Sequence, residues 1–236
     1  HGEPGAADRF AAHAGASPPG CAPADWTCVR STGYLYPDNP LTDAEAAAYE
    51  GAGFEISLHV DTGCADWTPA SLASTFAADL ARWRARFPSL PPPASHRVHC
   101  LVWSDYTSMA EVELGHGIRL DANYYYWPGA WIQDRPGFFT GSGLPMRFAR
   151  ADGTMLDVYQ LATHMTDESD QSYPFTIDLL LDRALGPEGY YGAFTANIHT
   201  DGPDQTLSNQ ILASARARGV PVISARQLLA WLDGRS

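Results

Sequence analysis

The chain has 236 residues, of which 45% are hydrophobic and 18% charged, a composition typical of a folded globular protein. Its net charge is -12, and its 15 basic residues are scattered arginines that form no basic stripe. These features argue against a nucleic-acid partner and against binding to anionic membranes. No apolar run approaches the roughly 18 residues that a membrane span requires, so we expect no membrane span.

The first 40 residues are rich in Gly, Pro, Ala and Asp. They predict a loop-rich N-terminal part (1–40) of a single domain that covers 1–236. Cys21 and Cys28 flank a short loop that suits a local bridge, whereas Cys64 and Cys100 each follow a predicted strand and could pair. Three connectivities are possible, and four free thiols in a cytosolic protein remain an alternative.

A helix, a strand and a long helix follow in order. "PLTDAEAAAYEGAG" predicts a helix that Thr42 caps, with Glu45 completing a capping box. "FEISLHV" alternates as a strand does, and "TPASLASTFAADLARWRARF" predicts an amphipathic helix with Thr68 as its cap. The apolar stripe of this second helix contains Leu72, Phe76, Leu80, Trp83 and Phe87.

The rest of the chain continues the alternation of strands and helices. The predicted strands are "HRVHCLVW", "IRLDANYYYW", "YYGAFTANIHT" and "VPVIS". The predicted helices are "TSMAEVELGHG", "YPFTIDLLLDRALG", "DQTLSNQILASARARG" and "SARQLLAWLDG". A hairpin, "MRFARADGTMLDVYQ", turns at Asp152 and Gly153. This order predicts an α/β fold with a parallel sheet or barrel.

Ionisable side chains stand at the ends of several predicted strands. His59 and His199 each end a strand, and each precedes an aspartate by two residues, Asp61 and Asp201 respectively. A third strand contributes Arg97 and His99, and parallel α/β folds place chemistry at the carboxyl ends of their strands. The histidines predicted to lie in solvated loops or at helix ends are His13, His96, His116 and His164.

Three stretches resemble, in order and spacing, the polysaccharide deacetylase (NodB-homology) family of carbohydrate esterases, over roughly residues 42–235. "GFEISLH" puts His59 at the position of the first metal histidine, and "RVHCLVWSDYTSMAEVELGHGIRLD" puts Arg97 at the motif arginine. "FTANIHTDGPDQTLSNQILASARARGVPVISARQLLAWL" puts His199 at the catalytic histidine. The resemblance implies a distorted (β/α) barrel of the polysaccharide deacetylase type, incomplete at its N-terminal strand.

The chain departs from the family pattern in three places. Gly63 stands where the family has its second metal histidine, and the arginine motif lacks the usual prolines. Nothing before residue 42 matches the family's strand with paired aspartates, so we expect the native protein to continue before His1 and to supply the base aspartate there. His99, or with less support Asp61, would replace the missing histidine, because both residue types bind zinc.

The resemblance implies a metal-dependent hydrolase that removes N- or O-acetyl groups from an extracellular polysaccharide or oligosaccharide. A divalent metal, with zinc as the expected ion, would polarise the acetyl carbonyl, and the incomplete ligand set predicts weak metal occupancy in this chain. His199 would act as general acid, Arg97 would orient the base aspartate, and Asp201 would hold His199. The resemblance also implies that the protein is secreted or displayed at the cell surface.

Aromatic residues supply candidate sugar contacts. The run "NYYYWPGAW" predicts that Tyr126, Trp127 and Trp131 stack on sugar rings, and Trp103 is a further candidate for substrate binding. A half-buried strand is an equally good interpretation of the tyrosines in this run. Turn residues such as Trp127 and Trp131 are the better binding candidates, because turns lie at the surface.

Two other classes of protein remain as alternatives. The missing histidine, altered arginine motif and absent aspartates are compatible with a non-catalytic carbohydrate-binding domain on a degenerate deacetylase scaffold. An N-terminal histidine such as His1 is also how copper polysaccharide monooxygenases hold their metal. That fold is an all-β sandwich, and the predicted helices argue against it.

Overall fold

The fold is described by a computed structural model for residues 5–100, 102, 104–124, 143–168, 171–189 and 192–234. Helices and strands alternate along the chain, which confirms the predicted α/β class. Seven helices lie within the described residues: α1 (Gly5–Ala16), α2 (Asp43–Gly51), α3 (Pro69–Arg86), α4 (Ser108–Gly115), α5 (Phe175–Leu185), α6 (Thr206–Ala217) and α7 (Ala225–Asp233). The strands are β1 (Thr32–Leu35), β2 (Glu55–Val60), β3 (Ser95–Val98), β4 (Leu120–Asp121), β5 (Met146–Ala149), β6 (Met155–Gln160), β7 (Thr163–Thr166) and β8 (Thr195–Asn197).

The strands form two sheets that run in a common direction. The six-stranded sheet has the order β1-β2-β3-β4-β6-β5, and it is parallel except for the β5–β6 hairpin. The second sheet pairs β7 with β8 in parallel. Strand β7 follows β6 almost directly, and Thr163 N donates to the carbonyl of Tyr124. The carboxyl ends of the parallel strands therefore lie at one end of the molecule.

The helix boundaries agree with the capping signals in the sequence. Thr42 and Glu45 form the predicted capping box of α2, and Thr68 caps α3 with Pro69 at its first position. The predicted apolar stripe of α3 is buried. Burying one such large apolar side chain contributes about 1.5–3 kcal/mol, so α3 is anchored mainly by packing. No helix among the described residues is long and apolar enough to cross a bilayer.

The two faces of β2 are both buried but differ in chemistry. Ile56, Leu58 and Val60 pack into the apolar core with α3. The alternate residues, Glu55, Ser57 and His59, form a polar face that is fully buried. This polar face carries the candidate functional side chains towards the carboxyl end of the sheet.

Glu55 joins distant parts of the chain through hydrogen bonds on this polar face. Its carboxylate accepts from the hydroxyls of Thr32 and Ser95, both at 2.8 Å. It also accepts from Arg226 N, in the first turn of α7, at 2.7 Å. Burial raises the pKa of Glu55, and these donors act in the opposite direction. The N-terminus of the last helix is therefore fixed to the polar face of β2.

The loop prediction for residues 1–40 is wrong, because α1 and β1 lie there. In α1, Ala6, Phe10 and His13 lie on one face and are buried, a helical spacing that the Gly- and Pro-rich composition concealed. Phe10 packs against Phe54, with ring centroids 4.8 Å apart. A Cβ added to Gly33 in β1 would lie 2.7 Å from Phe10 Cζ, so glycine is what allows the helix to approach the strand.

Two strand predictions also need correction. Residues 220–223 form no strand, although Arg30 N, two residues before β1, donates to the carbonyl of Val222. The strand predicted over residues 96–103 ends at Val98, because Cys100 has a left-handed backbone, with φ of 59°. Positions 101 and 103 of that prediction lie outside the described residues.

Three histidines predicted to be solvated are buried instead. His13 contacts the hydroxyls of Ser31 and Ser208 at 2.9 and 3.0 Å. His96 and His164 are 0% and 1% exposed. Each ring has a polar partner that comes from a distant part of the chain, and this is why the surrounding sequence gave no sign of burial.

Two disulfides, Cys21–Cys28 and Cys64–Cys100, account for the four cysteines. These are the local bridge and the strand-end pairing that the sequence left open among other connectivities. The second bridge joins the turn after β2 to the turn after β3. It therefore links the two segments that carry His59 and His99.

Candidate active site

His59, near the carboxyl end of β2, is held in one tautomer. Its Nδ1 lies 2.8 Å from the carbonyl oxygen of Arg97. A carbonyl oxygen only accepts, so Nδ1 carries the hydrogen and the ring lone pair is on Nε2. Burial lowers the pKa of His59 well below its ordinary value, which keeps the imidazole neutral. A neutral imidazole with its tautomer fixed by a backbone carbonyl is suited to metal ligation.

His59 belongs to a group of three rings, which we name the strand-end ring cluster: Tyr36, His59 and His99. The centroids of the two imidazoles are 5.8 Å apart. The Tyr36 ring lies 4.8 Å from His59 and 5.9 Å from His99. Backbone pairing continues past β3, since His99 N donates to the carbonyl of Val60 at 2.9 Å. The structure therefore brings together the two histidines that the sequence offered as metal ligands.

A disulfide lies beside His99. The donor atoms of Cys64, His99 and Cys100 are all within 4.8 Å of one another, so this group could hold a metal ion. Its sulfurs are bonded to each other, and only thiolate sulfur is an effective zinc ligand. While the Cys64–Cys100 disulfide is intact, the imidazole of His99 is the side chain of this group that can bind a metal ion.

Asp61, the other predicted replacement ligand, lies in a turn at the surface. Its Oδ1 accepts from Gly63 N at 2.9 Å, and its side chain is exposed. Gly63 has φ of 58°, a left-handed conformation that favours glycine. The position that would carry the family's second metal histidine is therefore used to turn the chain towards Cys64.

Arg97 extends from β3 along the polar face of the sheet and is 8% exposed. Its Nη1 donates to the carbonyl of Ala122 at 2.6 Å and to the hydroxyl of Thr163 at 3.0 Å. Arg97 thus ties β3 to the residue after β4 and to β7. It links the two sheets, and its own backbone carbonyl orients His59.

His199 follows β8 by two residues and is bound by a carboxylate. Asp167, after β7, accepts from the ring at Nδ1 and from His199 N, both at 2.7 Å. Burial alone would lower the pKa of His199, but the hydrogen bond and charge of Asp167 outweigh this effect and raise it. The Nε2 atom faces Glu168 at 3.6 Å. His199 is thus an oriented imidazole with a stabilised proton.

Asp167 is a site residue that the sequence did not reveal. It follows a strand directly, but 163–166 reads Thr-His-Met-Thr rather than an apolar run, so no strand was predicted there. Asp201, the aspartate predicted to hold His199, is exposed. His199 contacts Asp167 and Glu168, and a role for Asp201 stays a prediction.

The aromatic residues predicted to bind sugar, Trp103, Tyr126, Trp127 and Trp131, lie outside the described residues. Their role in substrate binding stays a prediction. Tyr124, the last described residue of that run, is 38% exposed.

A second ionisable group lies in the core on the other face of β3. His96 Nδ1 is 2.7 Å from Glu113 Oε1, with both side chains fully buried. Burial lowers the pKa of His96 to about 3 and raises that of Glu113 well above its usual range. Burial also raises the pKa of Asp121 to about 6. His96 packs on Phe76 of α3, so this network supports β3 and β4 from behind the site.

The fold and site define the class of protein: a parallel α/β protein with two histidines of opposite character at the carboxyl ends of its strands. Comparison with protein-family profiles and with curated proteins finds no match. Among solved structures, the chain is similar to a proposed polysaccharide deacetylase involved in O-antigen biosynthesis from Bordetella bronchiseptica. The identity is 17%, the TM-score 0.43, and the alignment covers 88% of this chain and 79% of that one. A likeness of this size assigns neither fold nor function.

Proposed function

We propose that the protein is a metal-dependent hydrolase that removes acetyl groups from a polysaccharide or oligosaccharide. The observation that carries the proposal is the contrast between two strand-end histidines. His59 is neutral with its lone pair on Nε2, as a metal ligand requires. His199 has a raised pKa and is oriented by Asp167, as a general acid requires. The order of the sequence motifs adds the substrate class.

His199 is the proposed general acid. Hydrolysis of an N-acetyl group expels an amine, which must gain a proton as the carbon–nitrogen bond breaks. With Nδ1 bound to Asp167, His199 delivers that proton from Nε2. The raised pKa keeps the ring protonated to higher pH than an ordinary histidine.

His59 and His99 are the proposed metal ligands. Their rings lie close together and the tautomer of His59 fits ligation. When bound, a divalent ion such as zinc polarises the acetyl carbonyl and lowers the pKa of a water ligand. Catalytic zinc sites usually have three protein ligands. We therefore propose that a further ligand and the base aspartate lie outside this chain, and that this chain alone binds metal weakly.

An extracellular location fits the proposal. Disulfides persist in oxidising compartments, and this chain carries two. A polymeric substrate that is too large to enter a cell would be met there. We propose that the protein is secreted or displayed at the cell surface.

The test is release of acetate from acetylated hexosamine oligomers by the native full-length protein. His199→Ala should lower the rate by about 100-fold or more, the contribution expected of a general acid. His116→Ala is a matched control, because His116 stacks on Phe76 of α3 and not on the site. Equal rates for the native protein and His199→Ala would contradict the proposal.

A non-catalytic carbohydrate-binding domain is the second candidate. The tight turn at Gly63 favours it, because that turn occupies the position of an expected ligand. This candidate predicts binding of the same oligomers without acetate release, with affinity unchanged by His199→Ala.

A further inference from the structure

The turns after β2 and β3 bring three side chains of metal-binding types together. Within the part of the chain that the structure describes, Cys64, His99 and Cys100 form the one group whose donor atoms all lie within 4.8 Å of one another. The ligand atoms of a tetrahedral zinc site lie about 3.5–4 Å apart, since zinc–sulfur bonds are about 2.3 Å and zinc–nitrogen bonds about 2.0–2.1 Å long. The spacing therefore suits one zinc ion once both sulfurs are thiolates.

The bridge between these two sulfurs is open to attack from solvent. Cys64 is exposed and Cys100 is half-buried. In the other bridge, Cys28 is 1% exposed. Thiol–disulfide exchange requires a thiolate to reach one of the bonded sulfurs, and exposed bridges are the ones that exchange readily. The Cys64–Cys100 bridge is therefore the better placed of the two for reversible reduction.

Hydrogen bonds join the two turns independently of the bridge. The hydroxyl of Thr62 donates to the carbonyl of His99 at 2.7 Å, and Cys64 N donates to that hydroxyl oxygen at 2.9 Å. His99 N donates to the carbonyl of Val60 at 2.9 Å, so the pairing of β2 with β3 extends into the site. Thr62 is buried, and hydrogen bonds in a buried setting are strong. Cleavage of the sulfur–sulfur bond should therefore leave the three donors within reach of one ion.

The donor set of this group favours zinc. Thiolates and neutral imidazoles bind Zn²⁺ well, whereas Mg²⁺ and Ca²⁺ require oxygen ligands. The charges of two thiolates also balance the charge of one Zn²⁺ ion. Three protein ligands leave the fourth tetrahedral position to water.

His99 belongs both to this group and to the strand-end ring cluster. The centroids of His99 and His59 are 5.8 Å apart, and a neutral imidazole has one lone pair to offer a metal ion. His99 can therefore ligate an ion together with His59 or together with the two thiolates, but not both at once. This competition rests on the proposed function, whereas the thiolate site does not.

From these observations we infer that Cys64, His99 and Cys100 form a redox-controlled zinc site, which a dithiol opens by reducing the Cys64–Cys100 bridge. While the bridge is intact, the sulfurs are not ligands and the chain binds metal weakly. After reduction, the two thiolates and the imidazole bind one zinc ion. The redox state of the bridge thus decides which partners His99 has.

The reaction is a thiol–disulfide exchange followed by metal binding. One thiolate of the dithiol attacks Sγ of Cys64, and the electron pair of the Sγ–Sγ bond leaves on Sγ of Cys100. The second thiolate of the dithiol attacks the mixed disulfide and releases Cys64 as a thiolate. The dithiol becomes a cyclic disulfide, and two electrons pass to the protein. Zinc then binds both thiolates, and the two protons of the dithiol pass to solvent.

Metal titration of the 236-residue chain, with and without a phosphine reductant, tests the inference. A phosphine is used because thiolates of a dithiol would themselves bind zinc. The reduced chain should bind one Zn²⁺ at least about 100-fold more tightly than the oxidised chain. Co²⁺ in place of zinc should give a thiolate-to-cobalt charge-transfer band in the near ultraviolet. His99→Gln should weaken zinc binding by the reduced chain about 10-fold or more.

The two bridges of the chain supply matched controls. Cys64→Ser combined with Cys100→Ser should abolish tight binding and the charge-transfer band. Cys21→Ser combined with Cys28→Ser should preserve both, because no group of three potential ligands within the described ranges includes either of these two cysteines. The same pair of substitutions is thus made at a bridge beside a histidine and at a bridge without this arrangement.

Several outcomes would overturn the inference. These are equal zinc affinity of the reduced and oxidised chains, tight binding that survives Cys64→Ser with Cys100→Ser, or a cobalt complex without the charge-transfer band. Circular dichroism follows the fold during reduction. Unfolding of the reduced chain would also overturn the inference, because the hydrogen bonds at Thr62 must hold the turns in place. Acetate release is not measured, so failure here is distinct from failure of the proposed function.

Discussion

The ends of β2 and β8 carry the same residue type in opposite settings. His59 is 0% exposed, donates to a backbone carbonyl and has a lowered pKa. The His199 side chain is 16% exposed, donates to a carboxylate and has a raised pKa. The backbone carbonyl beside His59 fixes the tautomer of the neutral ring. The carboxylate beside His199 carries a negative charge, and it therefore stabilises the protonated ring. The partner of Nδ1 therefore decides which ring suits a metal and which suits proton transfer.

Of these predictions, the largest effect is expected when the negative charge of Asp167, which binds His199, is removed. Asp167→Asn should lower acetate release by the native protein by about 10- to 100-fold. A neutral Asn stabilises the protonated ring of His199 less than Asp does, so the pKa of His199 falls. The alkaline limb of the pH profile should therefore shift to lower pH. The measurement is the pH profile of acetate release.

Asp201→Asn is the matched control for Asp167→Asn. It should leave the pH profile unchanged, because Asp201 is exposed whereas Asp167 accepts from both the ring and the backbone N of His199. A larger loss from Asp201→Asn than from Asp167→Asn would support the role in holding His199 that the sequence predicted for Asp201.

A smaller effect is expected from His59. His59→Gln should weaken zinc binding by the native protein about 10-fold or more, since it removes a proposed ligand. Calorimetric titration with zinc measures the effect, and His116→Gln is the control. Stoichiometric zinc in the purified 236-residue chain would contradict the weak binding proposed for it, and unchanged affinity in His59→Gln would remove His59 from the ligand set.

The smallest effect is on stability, where the two histidines should act in opposite directions. The pKa of His59 is lowered by folding, so its unfavourable protonation weakens the fold as pH falls below about 6.5. The pKa of His199 is raised, so its contribution is present at low pH and lost as pH rises through the folded-state pKa.

Urea unfolding between pH 5 and 8 measures both slopes. His59→Gln should reduce the loss of stability on the acid side, and His199→Gln should reduce the loss on the alkaline side. The acid-side slope should not vanish, because burial also lowers the pKa of His13 to about 4 and that of His96 to about 3. Identical slopes in the two variants would contradict the contrast between the sites.

Local features of the fold could be predicted from sequence. The caps at Thr42 and Thr68 are local hydrogen bonds between neighbouring residues, and the stripe of α3 follows from helical period alone. The alternation in β2 similarly placed His59 on the face opposite the apolar core. The strand ends then indicated where ionisable groups would gather.

Long-range features could not be predicted. The two hydroxyls that satisfy His13 come from Ser31 and from Ser208, and the latter is 195 residues away in sequence. Asp167 follows a strand of only four residues without an apolar run, so neither the strand nor its aspartate had a local signal. The His59 tautomer depends on a carbonyl of the neighbouring strand, which the sequence does not specify.

The contact between Glu55 and α7 has a consequence for synthesis. The ribosome synthesises β2 long before Arg226, whose backbone N–H is one of the donors to the Glu55 carboxylate. Until then, a carboxylate that must be buried lacks one of its partners. The nascent chain therefore cannot complete the polar face of β2 until its last residues emerge, and a product that stops before α7 should be recognised by proteases as unfinished.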